Sequence, residues 1–218
     1  MRRSKEEANC TRQAIIEAAC CVFRQDGVAG ATLEKIAATA RLTRGAVYWH
    51  FTCKGQLFKA IKDDAKVDLS KAIERLMRDV DPDDPLSSLA TNLIGVFQFI
   101  NQDHQLRIVL EILTLCCESS DEYNKADFDL SSIVLLFKNG LKYAYRLAAE
   151  KGFLRSGLYP DALVDDSIMF AAGLLYAYLS GRLPGDKNEA VEQMVSAHLD
   201  LRCQVGSLTK QQAVEKAA

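Results

Sequence analysis

The sequence predicts an all-α fold in two parts. An N-terminal three-helix unit is built around a helix-turn-helix, and a larger C-terminal helical bundle follows it. Three observations carry this expectation. Apolar residues recur at helical spacing over most of the 218 residues, and no stretch alternates as a strand does. Residues 32–57, TLEKIAATARLTRGAVYWHFTCKGQL, read as a short helix, a sharp turn and a second helix. Glycines and prolines cut the remainder into helix-sized segments, most clearly at DPDDP (81–85), where two prolines stand in a short acidic stretch.

The first helix is expected over about 5–25, with Ile15, Ile16, Ala18, Ala19, Val22 and Phe23 as its apolar stripe. Asp26-Gly27 supplies the left-handed stop that such a helix needs, and 28–31 is expected as a linking loop. Thr32 can cap the second helix, whose Leu33, Ile36, Ala37 and Ala40 follow the i, i+3, i+4, i+7 pattern. Ala40-Arg41-Leu42 leaves room only for a turn. Thr43 then caps a third helix that points Val47 and Phe51 inward and leaves Arg44, Gly45, Tyr48 and Trp49 on the opposite face. An exposed Tyr-Trp pair beside an Arg and a Gly suits a helix laid against another macromolecule.

A long fourth helix is expected over 53–80, held by Leu57, Phe58, Ile61, Ala65, Leu69, Ala72, Ile73 and Leu76. Its first turn belongs to the N-terminal unit and its remainder to the body, so it links the two. Helices over 86–101, 104–117, 123–151, 161–183 and 187–202 complete the body, and the polar, Ala-rich tail is expected to fray. This divides the chain into a helix-turn-helix domain (1–60, motif 32–51), a helical domain (61–205) and a tail (206–218).

Composition narrows the function classes. Residues 1–60 hold ten Lys/Arg against five Asp/Glu, a balance of +5, so the rest must carry −7 to reach the net −2. A basic end on an acidic body favours a polyanion at that end only. No apolar run approaches the ~20 residues that span a bilayer, and the basic N-terminus lacks a signal peptide's apolar centre, so a cytoplasmic chain without a membrane partner is expected. Seven cysteines without a C-x-x-C, and three distant histidines (His50, His104, His198), suggest no metal or cofactor. The vicinal pairs Cys20-Cys21 and Cys116-Cys117 read as reduced thiols acting as small hydrophobes, with a redox role through Cys53, Cys116 or Cys117 as the alternative. No nucleophile elbow, phosphate loop or spaced Ser/His/Asp set is visible, so no enzyme activity is expected.

The spaced set Thr32, Ile36-Ala37, Ala40, Thr43, Gly45, Tyr48, His50-Phe51, Lys54 and Leu57 resembles the N-terminal DNA-binding domain of the TetR/AcrR family of bacterial transcriptional regulators. The opening RRSKEEANCTRQAIIEAACCVF, with RGAVYWHF later, looks most like the branch that represses multidrug efflux pumps. The likeness is close over roughly the first quarter of the chain and extends beyond it only as an all-helical plan. Two departures stand out. The family usually has Gly in the turn where this chain has Arg41, so a left-handed backbone there would be strained. It also usually has an acidic residue where Gly55 stands, which would loosen the start of the fourth helix.

The helix-turn-helix reading puts the third helix in the major groove. Arg44 is the expected base reader, because a guanidinium can bond guanine O6 and N7 together. Thr43 can bond a phosphate through its hydroxyl and the first N–H groups, while Gly45 and Ala46 admit close backbone approach. Tyr48 and His50 have polar tips suited to phosphate and Lys54 adds charge; the resemblance makes these three the phosphate clamps. His50 can instead bond a backbone carbonyl. Trp49 is expected on a sugar or a thymine methyl, or packed between helices. Thr32 and Lys35 touch the DNA backbone from the second helix, and the basic start of the chain can reach along a groove.

In the body, Asn92, Gln98, Glu111, Thr114, Asn139 and Tyr143 are polar groups on apolar faces, and Phe97, Phe137 and Phe170 can line a cavity with them. Such a pocket suits a small hydrophobic effector, and the resemblance implies sensing of amphiphilic molecules in this bundle. Core packing is the simpler reading of each residue singly. Residues 168–179, IMFAAGLLYAYL, are apolar nearly all round, and the last helix aligns Val191, Met194, Val195, His198 and Leu201. These two helices are expected to form a homodimer interface, since a helix-turn-helix reads paired half-sites and the resemblance implies this arrangement; burial within one chain is the alternative.

The function expected is a ligand-responsive repressor of a multidrug efflux operon. It would leave its operator when an effector favours another tilt of the 53–80 helix. The alternatives are a regulator of another pathway or an activator, a helical small-molecule binder without DNA binding, and a thiol-based redox sensor.

Overall fold

The computed structural model describes residues 5–116 and 131–204. The first four residues, Cys117, the expected helix start at 123–130 and the tail from 205 lie outside them, as do the side chains of residues 116, 131 and 132. Among the described residues, nine α-helices and one π-helical turn follow one another, and the sole β pairing is an isolated bridge between Leu154 and Cys203. They form two compact units, 5–68 with 103–116 and 69–102 with 131–204.

The first unit holds α1 (Lys5–Gly30), α2 (Leu33–Thr39), α3 (Arg44–His50), the start of α4 (Lys54–Arg78), α6 (His104–Glu111) and the π-helical turn Ile112–Cys116. Its core is the predicted stripe of α1 set against Leu33 and Ile36 of α2, Val47 of α3, and Leu57, Phe58 and Ile61 of α4, all buried. Phe23 and Phe58 meet edge to face at 5.5 Å, the geometry that aromatic quadrupoles favour. Gly27 interrupts α1 at the expected stop, with φ 73° and ψ 163°, but the chain then makes another helical turn instead of a plain loop over 28–31. Val28 is buried there, and Lys54 Nζ donates to the Ala29 carbonyl at 2.9 Å.

A linear cut at 60/61 leaves α6 with the body, whereas its side chains pack on α1. Glu111 binds Arg24 at 3.2 Å, and Gln13 Nε2 donates to Gln105 at 2.8 Å. Asp103 starts α6 by accepting the Leu106 N–H at 2.9 Å. The expected single helix to 117 changes to π geometry at Ile112, and each π turn carries an extra residue that rotates the faces beyond it.

The second unit holds the rest of α4, α5 (Pro85–Gln102), α7 (Ser131–Glu150), α8 (Pro160–Leu179) and α9 (Lys187–Asp200). A Cβ at Gly140 would lie 2.5 Å from Met77 Cβ, so only glycine lets α7 come this close to the end of α4. α8 stops four residues before the expected 183 because Gly181 turns left-handed (φ 70°) and the Arg182 N–H reaches back to the Ala177 carbonyl at 3.0 Å. α7, α8 and α9 share a buried polar chain: Tyr145 Oη and Ser167 Oγ are 2.6 Å apart, and Ser167 Oγ lies 3.2 Å from His198 Nε2. Phe170 stacks on the His198 ring at 3.8 Å, and Arg202 pairs with Asp166.

α8 corrects one sequence expectation. At 20 residues and a mean hydropathy of 1.4 it is long and apolar enough, by length and composition, to cross a membrane. Asp161, Asp165 and Asp166 in its first turns hide the run from a scan for unbroken apolar sequence. Only 33% of its most apolar stretch is buried inside the chain. Met169, Ala172, Gly173 and Tyr176 form an exposed i, i+3, i+4, i+7 stripe. The expected single stripe of the last helix also divides: Val191 and Val195 are buried, while Met194 and Leu201 face outward.

Candidate nucleic-acid interface

Both helices of the motif begin where their threonines predict. Thr32 Oγ1 accepts the Lys35 N–H at 3.1 Å, and Thr43 Oγ1 accepts the Ala46 N–H at 3.2 Å. Between them, the Leu42 N–H returns to the Ala37 carbonyl at 2.9 Å and Arg41 stands at φ 54°, the sole non-glycine with positive φ among the described residues. A side chain there crowds its own backbone at a cost of roughly 1 kcal/mol that glycine avoids. The turn keeps its shape despite the missing glycine, because packing on either side dictates it.

Val47 is fully buried and anchors α3, with Phe51 closing the helix behind it. The opposite face is open. Arg44, Gly45, Tyr48 and Trp49 are exposed, Trp49 by 73%, and a Cβ on Gly45 would meet nothing. Ala46 and His50 are half-buried, and the Trp49 and His50 rings meet edge to face at 4.5 Å. Gly55 leaves the start of α4 intact: Gln56 Oε1 accepts the Thr52 N–H at 2.8 Å, and Cys53 Sγ accepts the Gln56 N–H at 3.4 Å.

One residue on this face escaped sequence reasoning. Glu34 Oε1 lies 2.8 Å from Arg44 Nη2 and accepts the Tyr48 hydroxyl at 3.2 Å, while the Arg44 guanidinium stands 5.3 Å from the Tyr48 ring centroid. The Glu34 carboxyl sits below its ordinary range, first through its own backbone N–H, then through Arg44, Tyr48 and Thr32. Its partners lie ten and fourteen positions along the chain on another helix, so no local pattern reveals them; the angle between α2 and α3 does.

Of the expected phosphate contacts, Lys35 pairs with Asp26 and Lys54 holds the Ala29 carbonyl, so both also brace α1. The expected effector residues are dispersed. Glu111 and Thr114 belong to the first unit, with Glu111 tied to Arg24 and Arg107; the other seven belong to the second, where Gln98 is exposed. There Asn92 is buried and donates to the Asp79 carbonyl at 2.9 Å, Phe97 packs on Tyr178, and Phe170 stacks on His198. Phe137 is half-buried, whereas Asn139 and Tyr143, one turn apart on α7, are exposed. A cleft of about 330 Å³ in the first unit, between α1, α4 and α6, is lined by none of them; its walls include Gln13, Ile61, Asp64 and Leu106.

Cys20 is buried and its thiol is pushed up to about 12 by that burial, with Cys21 and Glu17 adding to it; Cys10, Cys21 and Cys53 are exposed. Among the described residues, no three metal-ligating side chains come together.

Two capped helices joined by a three-residue turn, the second presenting Arg, Tyr and Trp from an anchored back, define a helix-turn-helix DNA-binding head. Residues 15–61 match the family described as "Bacterial regulatory proteins, tetR family". The chain is 35% identical over 205 residues to the HTH-type transcriptional regulator TtgR of Pseudomonas putida, covering 92% of this chain and 95% of that one. Its fold matches NalD, the secondary repressor of the MexAB-OprM multidrug efflux pump in Pseudomonas aeruginosa, with a TM-score of 0.72 at 28% identity, covering 92% of this chain and 99% of NalD. It also matches SmeT of Stenotrophomonas maltophilia in its triclosan complex, with a TM-score of 0.69 at 27% identity, covering 90% and 93% of the two chains. The chain belongs to the TetR family of bacterial regulatory proteins.

Proposed function

We propose that this protein is a cytoplasmic transcriptional repressor of a multidrug efflux operon, released from its operator by a small hydrophobic or amphiphilic effector. The observation that carries the reading is the α3 face, where Arg44, Tyr48 and Trp49 stand exposed on a helix anchored by Val47. Its closeness to TtgR, and its likeness to repressors whose names include efflux pumps, favour the efflux target.

In this reading Arg44 addresses a guanine, and Gly45 and Ala46 admit the DNA backbone. Thr43, Tyr48 and His50, with Thr32 on α2, hold phosphates, and Trp49 covers a sugar or a thymine methyl. Lys35 and Lys54, which also hold Asp26 and the Ala29 carbonyl, add phosphate contacts. The homodimer forms through α8 and α9, whose exposed Met169, Tyr176 and Met194, with Leu201 just past α9, are otherwise left in water. The effector enters the bundle near Phe97, Phe137 and Phe170, and α4, which has residues in both units, carries the response.

Footprinting on the DNA upstream of its own gene, with and without a panel of hydrophobic drugs, tests the reading. A protected palindrome that a drug releases is the expected result. Protection that no drug disturbs would overturn the effector assignment, and the absence of sites both here and in a genome-wide search would overturn the repressor.

A further inference from the structure

The Glu34–Arg44–Tyr48 cluster sits where the proposed reading helix meets DNA, yet it contributes little to the fold. The side chains of Arg44 and Glu34 are 67% and 48% exposed, and ion pairs in such solvent stabilise a protein only marginally. A carboxylate suits the first turn of α2, but that position does not require it to clasp Arg44 and Tyr48 on a surface meant for a polyanion.

Two consequences follow from the geometry. Arg44 is a long, rotamer-rich side chain whose ordering opposes binding, and here it is ordered in advance by a carboxylate and by the Tyr48 ring. Glu34 lies against Nη2, and a guanidinium with five N–H groups can be held on one side and still present a two-pronged fork to a base. The same carboxylate stands beside α3 and repels phosphate in every register of the duplex. Only the register that brings the Arg44 fork onto its base offsets that repulsion.

We propose that Glu34 is a positioning residue for operator selectivity, holding Arg44 and Tyr48 for the correct base while penalising sequence-independent binding. The inference rests on the DNA-binding reading above and adds a repulsive element to it, the way specificity is commonly built.

The test uses the full-length protein and three duplexes. The first is selected by the wild type from a randomised pool, the second carries a substitution at the guanine whose protection depends on Arg44, and the third is a scramble. Binding is followed by fluorescence anisotropy over a salt series. Glu34→Gln removes the charge but keeps an acceptor. It is expected to bind the scramble roughly threefold to tenfold more tightly, with a salt slope steeper by about 1. Glu34→Asp keeps the charge on a shorter reach. It is expected to retain the wild-type salt slope while losing discrimination between the first two duplexes. Circular dichroism melts report folding for both variants.

Unchanged slope and unchanged discrimination in both folded variants would overturn the role of Glu34 while leaving DNA binding intact. Failure of the wild type to select any sequence would overturn the DNA-binding reading itself, and Glu34's role with it.

Discussion

The α3 and α8 helices both leave large apolar side chains in water, and they do so differently. On α3, Trp49 and Tyr48 are exposed among charges, with Arg44 in front of Tyr48 and Glu34 bonded to both polar partners. On α8, Met169 and Tyr176 are exposed beside Ala172 and Gly173, a stripe that carries no charge of its own and meets one only at its end, where the Arg182 guanidinium stands 5.2 Å from the Tyr176 ring centroid. Behind each stands a buried anchor, Val47 in one and Ser167 with Leu174 in the other. The first surface can desolvate only against something that replaces its ionic partners, as a phosphate backbone does. The second gains by meeting another apolar face, and its small residues let a helix come close. Exposure alone would not separate the two, and each has an arginine over a tyrosine ring; the Glu34 carboxylate bonded to Arg44 and Tyr48 separates them.

The sharpest way to break the comparison is to charge the second surface. Met169→Glu together with Met194→Glu is expected to leave a folded monomer in sedimentation. Operator affinity then falls by roughly a hundredfold or more, because two heads no longer bind as one unit. The same change on a protein that stays dimeric would reassign the α8 stripe.

Arg44→Ala comes next. It removes a bidentate base contact worth about 1–3 kcal/mol, so operator binding weakens roughly tenfold to a hundredfold while folding is unchanged. Equal losses on operator and scrambled DNA in a binding titration would make Arg44 a phosphate contact instead.

The buried chain behind α8 can be probed through stability. Ser167→Ala strands the Tyr145 hydroxyl and is expected to cost about 1–3 kcal/mol in a denaturant titration. His198 links the same chain to pH. Its value is lowered from 6.5 to about 4, by desolvation first and by Arg202 second. The folded value lies below the unfolded one, so proton uptake favours the unfolded chain. Stability is therefore level above about pH 6.5 and falls as the pH drops from there towards 4. In thermal melts, His198→Gln should flatten that decline, and an unaltered pH profile would assign it to other groups.

The smallest effect is expected in the turn. Arg41→Gly relieves a left-handed side chain and should raise stability by up to about 1 kcal/mol, less what glycine's freedom in the unfolded chain takes back. No gain in Tm would mean that the Arg41 side chain makes up the difference elsewhere.

Much of this molecule was legible in the sequence. Helical periodicity marked the elements, Thr32 and Thr43 marked two helix starts, and DPDDP marked the break after α4, because each is a local effect of backbone geometry and capping. The spacing from Thr32 to Leu57 identified the reading head, since a helix-turn-helix is specified almost entirely within one short stretch. The α3 face was legible for the same reason: one buried Val on a short helix decides which side chains point out. The effector residues were the least legible. Polar residues on apolar faces of separate helices look alike whether they line a pocket, cap a neighbour as Asn92 does, or face water as Asn139 and Tyr143 do.

By itself, then, the sequence determined where the helices run and which side of α3 is offered to a partner, because both follow from interactions spanning a turn or two of chain. Tertiary packing settled that α6 packs with the N-terminal helices, that Met169, Ala172, Gly173 and Tyr176 of α8 are left exposed within one chain, and that Glu34 clasps Arg44 and Tyr48. Each of these joins residues on different elements, and which ones meet depends on the angles at which helices pack, which no sequence spacing records.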